Sequence, residues 1–138
     1  MDFMIEEYTV IDEQELLPLY ESVGWVNYTT QPQMLKEAYL HSLKRYAAYE
    51  NGQPVGMIRV VGDGVSVVFV QDLLVSPQYQ RQGIGTALLK KVMEEYAQVY
   101  QLHLLTDHTE RTTAFYKSLG FLMDTDINCR AFSKFRMG

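Results

Sequence analysis

Apolar positions along the chain fall into short runs whose period changes from strand-like to helical and back. Residues 3–11 alternate loosely, with Met4, Ile5, Tyr8 and Val10 apolar, and predict a first strand. Asp12 and Glu15 have the spacing of a capping box. Leu16, Leu17, Leu19, Tyr20 and Val23 then form the apolar stripe of a helix that contains Pro18 and stops at Gly24. Residues 25–30 read as a loop with two aromatics. Pro32 opens a second helix over 32–43, with Met34, Leu35, Ala38, Tyr39 and Leu43 inward. Residues 46–50 and 55–61 predict a hairpin about Asn51-Gly52. Gly62-Asp63-Gly64 turns the chain into Val67–Val75, an apolar and β-branched run that reads as a strand buried on both faces. Ser76 and Pro77 break it. Ile84, Ala87, Leu88, Val92 and Met93 then recur at helical spacing over 83–100. Residues 102–106 predict another strand and 110–119 a helix that Gly120 ends. Residues 121–124 and 131–135 predict two closing strands around a turn at 126–128.

The resulting order is β-α-α-β-β-β-α-β-α-β-β. Consecutive strands joined by tight turns pair antiparallel, whereas the crossover through the helix at 83–100 pairs its flanking strands in parallel. The pattern predicts an α/β (α+β) mixed sheet of about seven strands with helices on both faces.

A length of 138 residues fits a single domain over 1–138. The apolar fraction of 47% supports a compact core, and no apolar run reaches the roughly 18 residues of a membrane span. The first ten residues carry neither a basic nor an apolar leader segment. Cys129 is the only cysteine, which excludes an internal disulfide framework and a cysteine metal cluster and makes the cytoplasm the default compartment. The net charge of −5 argues against a nucleic-acid surface and is compatible with a cationic partner such as an amine.

Candidate chemistry concentrates between the central strand and the following helix, in Gln80-Arg81-Gln82-Gly83-Ile84-Gly85. Two glycines let the backbone tighten and a ligand approach closely. The helix start offers unpaired N–H groups and a partial positive charge, a setting for pyrophosphate. Three phosphate-binding patterns compete. A Walker loop needs Lys then Ser or Thr after its second glycine, where this chain has Thr86 and Ala87. A dinucleotide fingerprint needs a third glycine, where this chain has Leu88. The third pattern fits: the hexapeptide resembles the Q/R-x-x-G-x-G/A signature of the GNAT superfamily of N-acetyltransferases. A second stretch, residues 109–121, resembles that family's N-x-x-A-x-x-F-Y-x-x-x-G-F segment. Tyr116, Gly120 and Phe121 match it, and Thr109 and Thr112 stand where Asn and Ala are usual.

The resemblance covers the whole element order and implies an acetyl-CoA-dependent N-acetyltransferase. It implies that Gln80, Arg81, Gln82, Gly83, Ile84, Gly85 and Thr86 hold the pyrophosphate. It also implies that the central strand ends in a bulge and splays from its parallel neighbour. The pantetheine arm would pair there with backbone near Leu73, Leu74 and Val75, an N–H of which would polarise the thioester carbonyl. Thr109 would take the place of the Asn that bonds the pantetheine arm, and Arg81 and Lys117 would reach cofactor phosphates or only water.

Acetyl transfer needs a neutral amine, a polarised carbonyl, a proton for the departing thiolate and alignment of the reactants. Tyr116 is the candidate acid; its alternative is a packed aromatic whose hydroxyl has a partner. Asp72 is the one charge in the central strand and is either a base, direct or through water, or a structural carboxylate paired with a cation. His108 lies beside Asp107 as a candidate base or a solvated loop residue, while His103 and His41 read as structural or solvated. Trp25, Tyr28 and Tyr39 are candidates either for the acceptor pocket or for a hydrophobic anchor of the helix pair, and Asp72 is a further candidate for the pocket. The expected reaction is direct transfer to a small-molecule or peptide amine in a ternary complex. It involves no metal, no catalytic cysteine, no nucleic acid and no membrane, in a monomer or homodimer. A non-catalytic acyl-CoA sensor and a nucleotide-binding regulator are the rival readings.

Overall fold

A computed structural model of the chain describes residues 3–136. The chain clusters into two compact units, one up to Leu105 and one from Thr106. The first unit contains β1 (Met4–Glu7), α1 (Glu13–Ser22), α2 (Val26–Thr29), α3 (Pro32–Leu40), β2 (Lys44–Glu50), β3 (Gln53–Gly62), β4 (Val67–Val75), a 3₁₀ turn (Pro77–Tyr79), α4 (Ile84–Glu95) and β5 (Gln101–Leu104). The second contains α5 (Glu110–Ser118) and a 3₁₀ turn (Asp124–Ile127). No helix among the described residues is long and apolar enough to cross a membrane.

The local signals act where the chain shows them. Asp12 caps α1 by accepting the Gln14 N–H at 2.9 Å, and the helix continues through the exposed Pro18. Asn51 (φ 52°) and Gly52 (φ 76°) make the hairpin turn between β2 and β3. Residues 25–30, expected as a loop, hold the short helix α2. Trp25 closes its start, with its carbonyl accepting the Tyr28 and Thr29 N–H groups.

The five strands are ordered β1-β2-β3-β4-β5; the first three pairings are antiparallel and β4–β5 is parallel. Helices cover both faces of this sheet. Gly56 on β3 faces α4, since a Cβ there would stand 2.9 Å from Ile84 Cγ2 and 3.2 Å from Leu88 Cδ1. Its neighbour Met57 points the other way, into a cluster with Leu16, Leu19 and Tyr20 of α1 and Leu35 and Tyr39 of α3.

The register of β4 against β3 slips by one residue at Gln71. Val70 lies opposite Val60, but Asp72, not Gln71, lies opposite Arg59. This is a β-bulge, two residues against one. Because strand side chains alternate, the slip changes the face that the even-numbered residues serve. Val68 and Val70 share the α4 face with Val60, whereas Leu74 packs with Met57 on the α1–α3 face. Every second residue of β4 is therefore buried, although the strand switches faces halfway along.

Two of the seven expected strands are absent from the described residues. Residues 121–124 and 131–135 form no ladder. Their backbone closes locally instead. The Asp126 carboxylate accepts the Met123 N–H at 3.0 Å, the Cys129 N–H donates to the Asp124 carbonyl at 2.7 Å, and Asn128 turns the chain at φ 56°. An alternating pattern makes a strand only where a neighbouring edge accepts it, and the second unit contains no other strand.

Candidate active site

Past the end of β4 the Gln80 side-chain amide donates to the Val75 carbonyl at 2.9 Å, tying the loop to the strand. Arg81 (φ 65°) and Gly83 (φ 87°) both take left-handed backbone. Gly83 is the N-cap of α4 and supplies no side chain to it. A Cβ at Gly83 would meet no atom within 4 Å, so conformation rather than crowding demands glycine there. The first helical bond of α4 runs from the Ala87 N–H to the Gly83 carbonyl at 3.0 Å. The N–H groups of Ile84, Gly85 and Thr86 thus have no helical acceptor. With the helix dipole they form an open anion cradle that fits a pyrophosphate. Arg81 and Gln82 are exposed beside it, and Arg81 takes part in no ion pair among the described residues.

Next to this cradle β4 stands free on one side. Its ladder with β3 continues to Val75, but its pairing with β5 stops at Val70. Among the described residues, no strand lies beside the edge of 71–75, with Leu73, Leu74 and Val75 among them, that is turned away from β3. The bulge at Gln71 coincides with the point where the two parallel strands part. A linear ligand that carries amide groups can bond to such an edge as a strand would.

On the α1–α3 face, Asp72 is the centre of a buried polar network. Arg59 Nε lies 2.8 Å from Asp72 Oδ2, and the side chains are only 6% and 3% exposed. The Tyr20 hydroxyl donates to the same oxygen at 2.8 Å, and the Tyr28 hydroxyl reaches Oδ1 at 3.4 Å. Since the Tyr20 proton goes to a carboxylate, the 2.6 Å contact between Tyr20 and Tyr39 has Tyr39 donating. Arg59 also donates to Ser42 Oγ and to the Tyr28 hydroxyl, and it lies over the Tyr39 ring. Burial pushes the Arg59 guanidinium down, but the charge and hydrogen bond of Asp72, with Tyr20 and Tyr28, together outweigh it and raise its pKa overall. Burial raises the Tyr28 phenol, as does the Asp72 charge, with Arg59 pulling the other way. Trp25 packs edge-on to Tyr20 at 5.7 Å and Tyr28 packs on the same ring at 5.3 Å.

The structure therefore gathers Trp25, Tyr28, Tyr39 and Asp72 around Tyr20 and Arg59. Asp72 takes the form of a carboxylate paired with a cation. Arg59 and Tyr20 were not singled out in the sequence, although Arg59 is the one charge in its apolar strand, as Asp72 is in the next. An open cavity of about 340 Å³ lies between α1 and the residues after β4, lined by Glu15, Ser22, Ser76 and Tyr79 among others. None of the sequence-predicted site residues lines it.

The second unit holds the remaining candidates. Thr109 caps α5, its hydroxyl accepting the Thr112 N–H at 3.2 Å and meeting Thr112 Oγ1 at 2.9 Å. Tyr116 is half-buried, edge-on to Phe115 at 4.9 Å and Phe121 at 5.8 Å. Burial, reinforced by the Asp107 charge, raises its phenol above the ordinary value, and a bond with Thr106 partly offsets this. Lys117 pairs with Asp126 at 3.7 Å, and His108 and Cys129 are exposed. No cluster of three or more potential metal ligands occurs among the described residues.

Comparisons with known proteins agree on one family. The model of the acetyltransferase (GNAT) family matches residues 12–121. Serotonin N-acetyltransferase 2, chloroplastic, of Oryza sativa subsp. japonica is 31% identical over 122 residues, which cover 86% of this chain and 60% of that protein. A GNAT family acetyltransferase of Streptococcus pneumoniae superposes with a TM-score of 0.89 at 39% identity, covering 99% of this chain and 100% of that one. An aminoglycoside 6′-N-acetyltransferase complexed with coenzyme A shares the fold, at a TM-score of 0.72 and 20% identity over 85% of this chain and 83% of that one. The chain spans less than two thirds of the length of the rice protein.

Proposed function

Because this chain belongs to the acetyltransferase (GNAT) family and is an acyltransferase, we propose that it moves an acetyl group from acetyl-CoA to a primary amine by direct attack in a ternary complex. The observation that carries this reading is the uncapped start of α4 placed beside the free edge of β4. One feature accepts a pyrophosphate and the other an amide-bearing arm, in the order in which coenzyme A carries them. Acetyl-CoA supplies the activated thioester when bound.

In this reading the N–H groups of Ile84, Gly85 and Thr86 hold the pyrophosphate, while Gln80 fixes the loop and Gly83 gives it its turn. Arg81 is the proposed partner of a further phosphate. Backbone at Leu73, Leu74 and Val75 orients the arm, and one N–H polarises the carbonyl as negative charge develops on its oxygen. The neutral amine nitrogen bonds to the carbonyl carbon as the carbon–sulfur bond breaks. The thiolate takes a proton from the Tyr116 hydroxyl, and the amine gives up one proton to solvent, which restores the phenol. Trp25 and Tyr28 line the acceptor side, where Asp72 acts as a positioning residue that holds the Tyr28 hydroxyl. A small-molecule or peptide amine in the cytoplasm is the proposed setting. The lone cysteine supports that compartment, while the rice relative is named as chloroplastic.

Calorimetric titration with CoA and with ATP, followed by a thiol-release assay over a panel of amines, tests the proposal. CoA is expected to bind more tightly than ATP, and at least one amine is expected to release thiol from acetyl-CoA. Equal affinity for the two nucleotides would remove the cofactor assignment. Tight CoA binding with no thiol release across the panel would leave an acyl-CoA sensor instead.

A further inference from the structure

The open cavity of about 340 Å³ beside α1 shares no lining residue with the anion cradle or with the Asp72 network. Its volume is that of roughly eleven waters at about 30 Å³ each, and it falls at the lower end of small-molecule sites, about 300–1,000 Å³. Leu19 and Pro54 give it apolar walls, while Gln53, Ser76, Gln78 and Tyr79 bring amide and hydroxyl groups. Glu15 is the one carboxylate in the lining. Its spacing from Asp12 is that of a capping box, in which its side chain would turn back to the Asp12 N–H. The Tyr8 hydroxyl accepts that N–H instead, at 3.1 Å, and donates its own proton to Glu15 Oε1 at 3.0 Å. Tyr8 is buried, so this relay fixes the carboxylate while sparing it the capping role. Oε2 of Glu15 bonds to none of the described residues.

We propose that this cavity is a binding site for a small organic cation that carries hydroxyl groups, with its ammonium on Glu15 and its hydroxyls on Gln53, Ser76, Gln78 and Tyr79. The charge of the lining sets the sign of the ligand. Among the described residues no lysine, arginine or histidine lines the cavity, and Glu15 takes part in no ion pair. A second carboxylate adds to the negative charge at this end of the sheet. Glu50 lies opposite Gln53 in the β2–β3 ladder, and its Oε2 is buried without a partner among the described residues. An ammonium on Glu15 makes a charge-assisted hydrogen bond, the stronger kind. The mixed lining suits a ligand with both polar and apolar surface, in which a few polar groups fix orientation and the walls bury the rest. The site is additional to the proposed acceptor side, since neither Trp25 nor Tyr28 lines it.

Glucosamine and ethanolamine are suitable probes, each set against an uncharged counterpart, glucose and ethylene glycol. They are titrated into the full chain, alone and with CoA, which carries no acetyl group to transfer. At least one amine is expected to bind saturably at millimolar concentration or below, and its uncharged counterpart about tenfold or more weakly. Backbone amide shifts of the wild-type chain are expected to move at Glu15, Gln53, Ser76 and Gln78, a map that does not depend on any variant folding. Glu15→Gln keeps an oxygen for the Tyr8 hydroxyl and removes only the charge. It is expected to melt as wild type does, to bind CoA equally well and to lose about tenfold or more in amine affinity. Amine binding that survives Glu15→Gln would overturn the proposal. So would shifts confined to Trp25 and Tyr28, which would assign the amine to the acceptor side. Equal affinity for the uncharged counterpart, loss of amine binding once CoA is present, or no saturable binding of either amine would overturn it as well.

Discussion

Replacing Gly56 with alanine asks whether α4, and with it the anion cradle, is seated by the absence of one methyl group. The new Cβ would lie 2.9 Å from Ile84 Cγ2, 3.2 Å from Leu88 Cδ1 and 3.3 Å from the Leu74 carbonyl oxygen. Ile84 and Leu88 are themselves 1% and 0% exposed, so neither side chain can swing into solvent. Reaching an ordinary contact distance of about 3.4 Å requires Ile84 to withdraw by roughly 0.5 Å, which lifts the first turn of α4. Overpacking of this kind costs about 1–3 kcal/mol. The smaller entropy of the unfolded alanine chain returns about 0.4–1 kcal/mol, because Gly56 is not in left-handed backbone. The net loss of up to about 2.6 kcal/mol, divided by an unfolding entropy of roughly 0.29 kcal/mol/K for 138 residues, lowers Tm by up to about 9 °C. Ile84 is the first residue of α4, so CoA affinity is expected to fall with stability. Thermal melts and CoA titration of Gly56→Ala, Ile84→Leu and the double variant form a cycle. Leucine lacks the offending Cγ2, so the double variant is expected to be more stable than the sum of the singles. An unchanged or higher Tm for Gly56→Ala, with unchanged CoA affinity, would refute the idea that this contact seats the helix.

Three further outcomes follow from the site and the turn before β4. Tyr116→Phe is expected to lower turnover by about 10²–10⁴-fold with little change in acetyl-CoA affinity or Tm. An acid works only below its pKa and this phenol is raised, so the basic limb of the wild-type rate profile is expected above pH of about 10. Turnover within about threefold of wild type would make Tyr116 a packing residue. Asp72→Ala is expected to destabilise by about 3–5 kcal/mol by stranding Arg59, and Arg59→Met in the same chain is expected to recover much of that, as urea melts would show. Asp63 accepts from the Ser66 hydroxyl and the amides of Val65, Ser66 and Val67, bonds that depress its carboxyl well below the ordinary range. A depressed carboxylate contributes stability that is present above its unfolded pKa of about 3.9 and is lost as pH falls through the folded value. Urea melts of Asp63→Asn are therefore expected to show a shallower acid dependence below pH of about 4, and an unaltered slope would contradict this role.

Much of the fold was legible because its signals are local. The Asp12 cap, the Asn51-Gly52 turn, the Gly83 turn and the helical spacing from Ile84 each fix a few neighbouring residues, and each appears where the sequence places it. The Arg59–Asp72 pair was not legible, because it depends on the bulge. Counting back from Gly62 opposite Val68, an unbroken ladder sets Arg59 against Gln71. Only the one-residue slip brings the two charges together; the family resemblance implies a bulge in this strand, but no residue type marks its position. The helical turn at α2 carries Tyr28 to Asp72, 44 positions away, a contact that periodicity does not see. The closing strands failed for a related reason: alternation in 131–135 expresses a capacity to pair, and whether a ladder forms is decided by the edge that meets it.

The slip in β4 also separates two sets of evolutionary constraints within a single strand. Val68 and Val70 answer to the packing of α4, and through it to the shape of the anion cradle. Asp72 and Leu74 answer to α1 and α3. A substitution on the α1–α3 side is thereby insulated from the residues beneath α4. A straight strand would have kept all its even-numbered side chains on one face. If the proposed acceptor side lies by α1 and α3, half of β4 can drift with it while the other half keeps the seat of α4 unchanged.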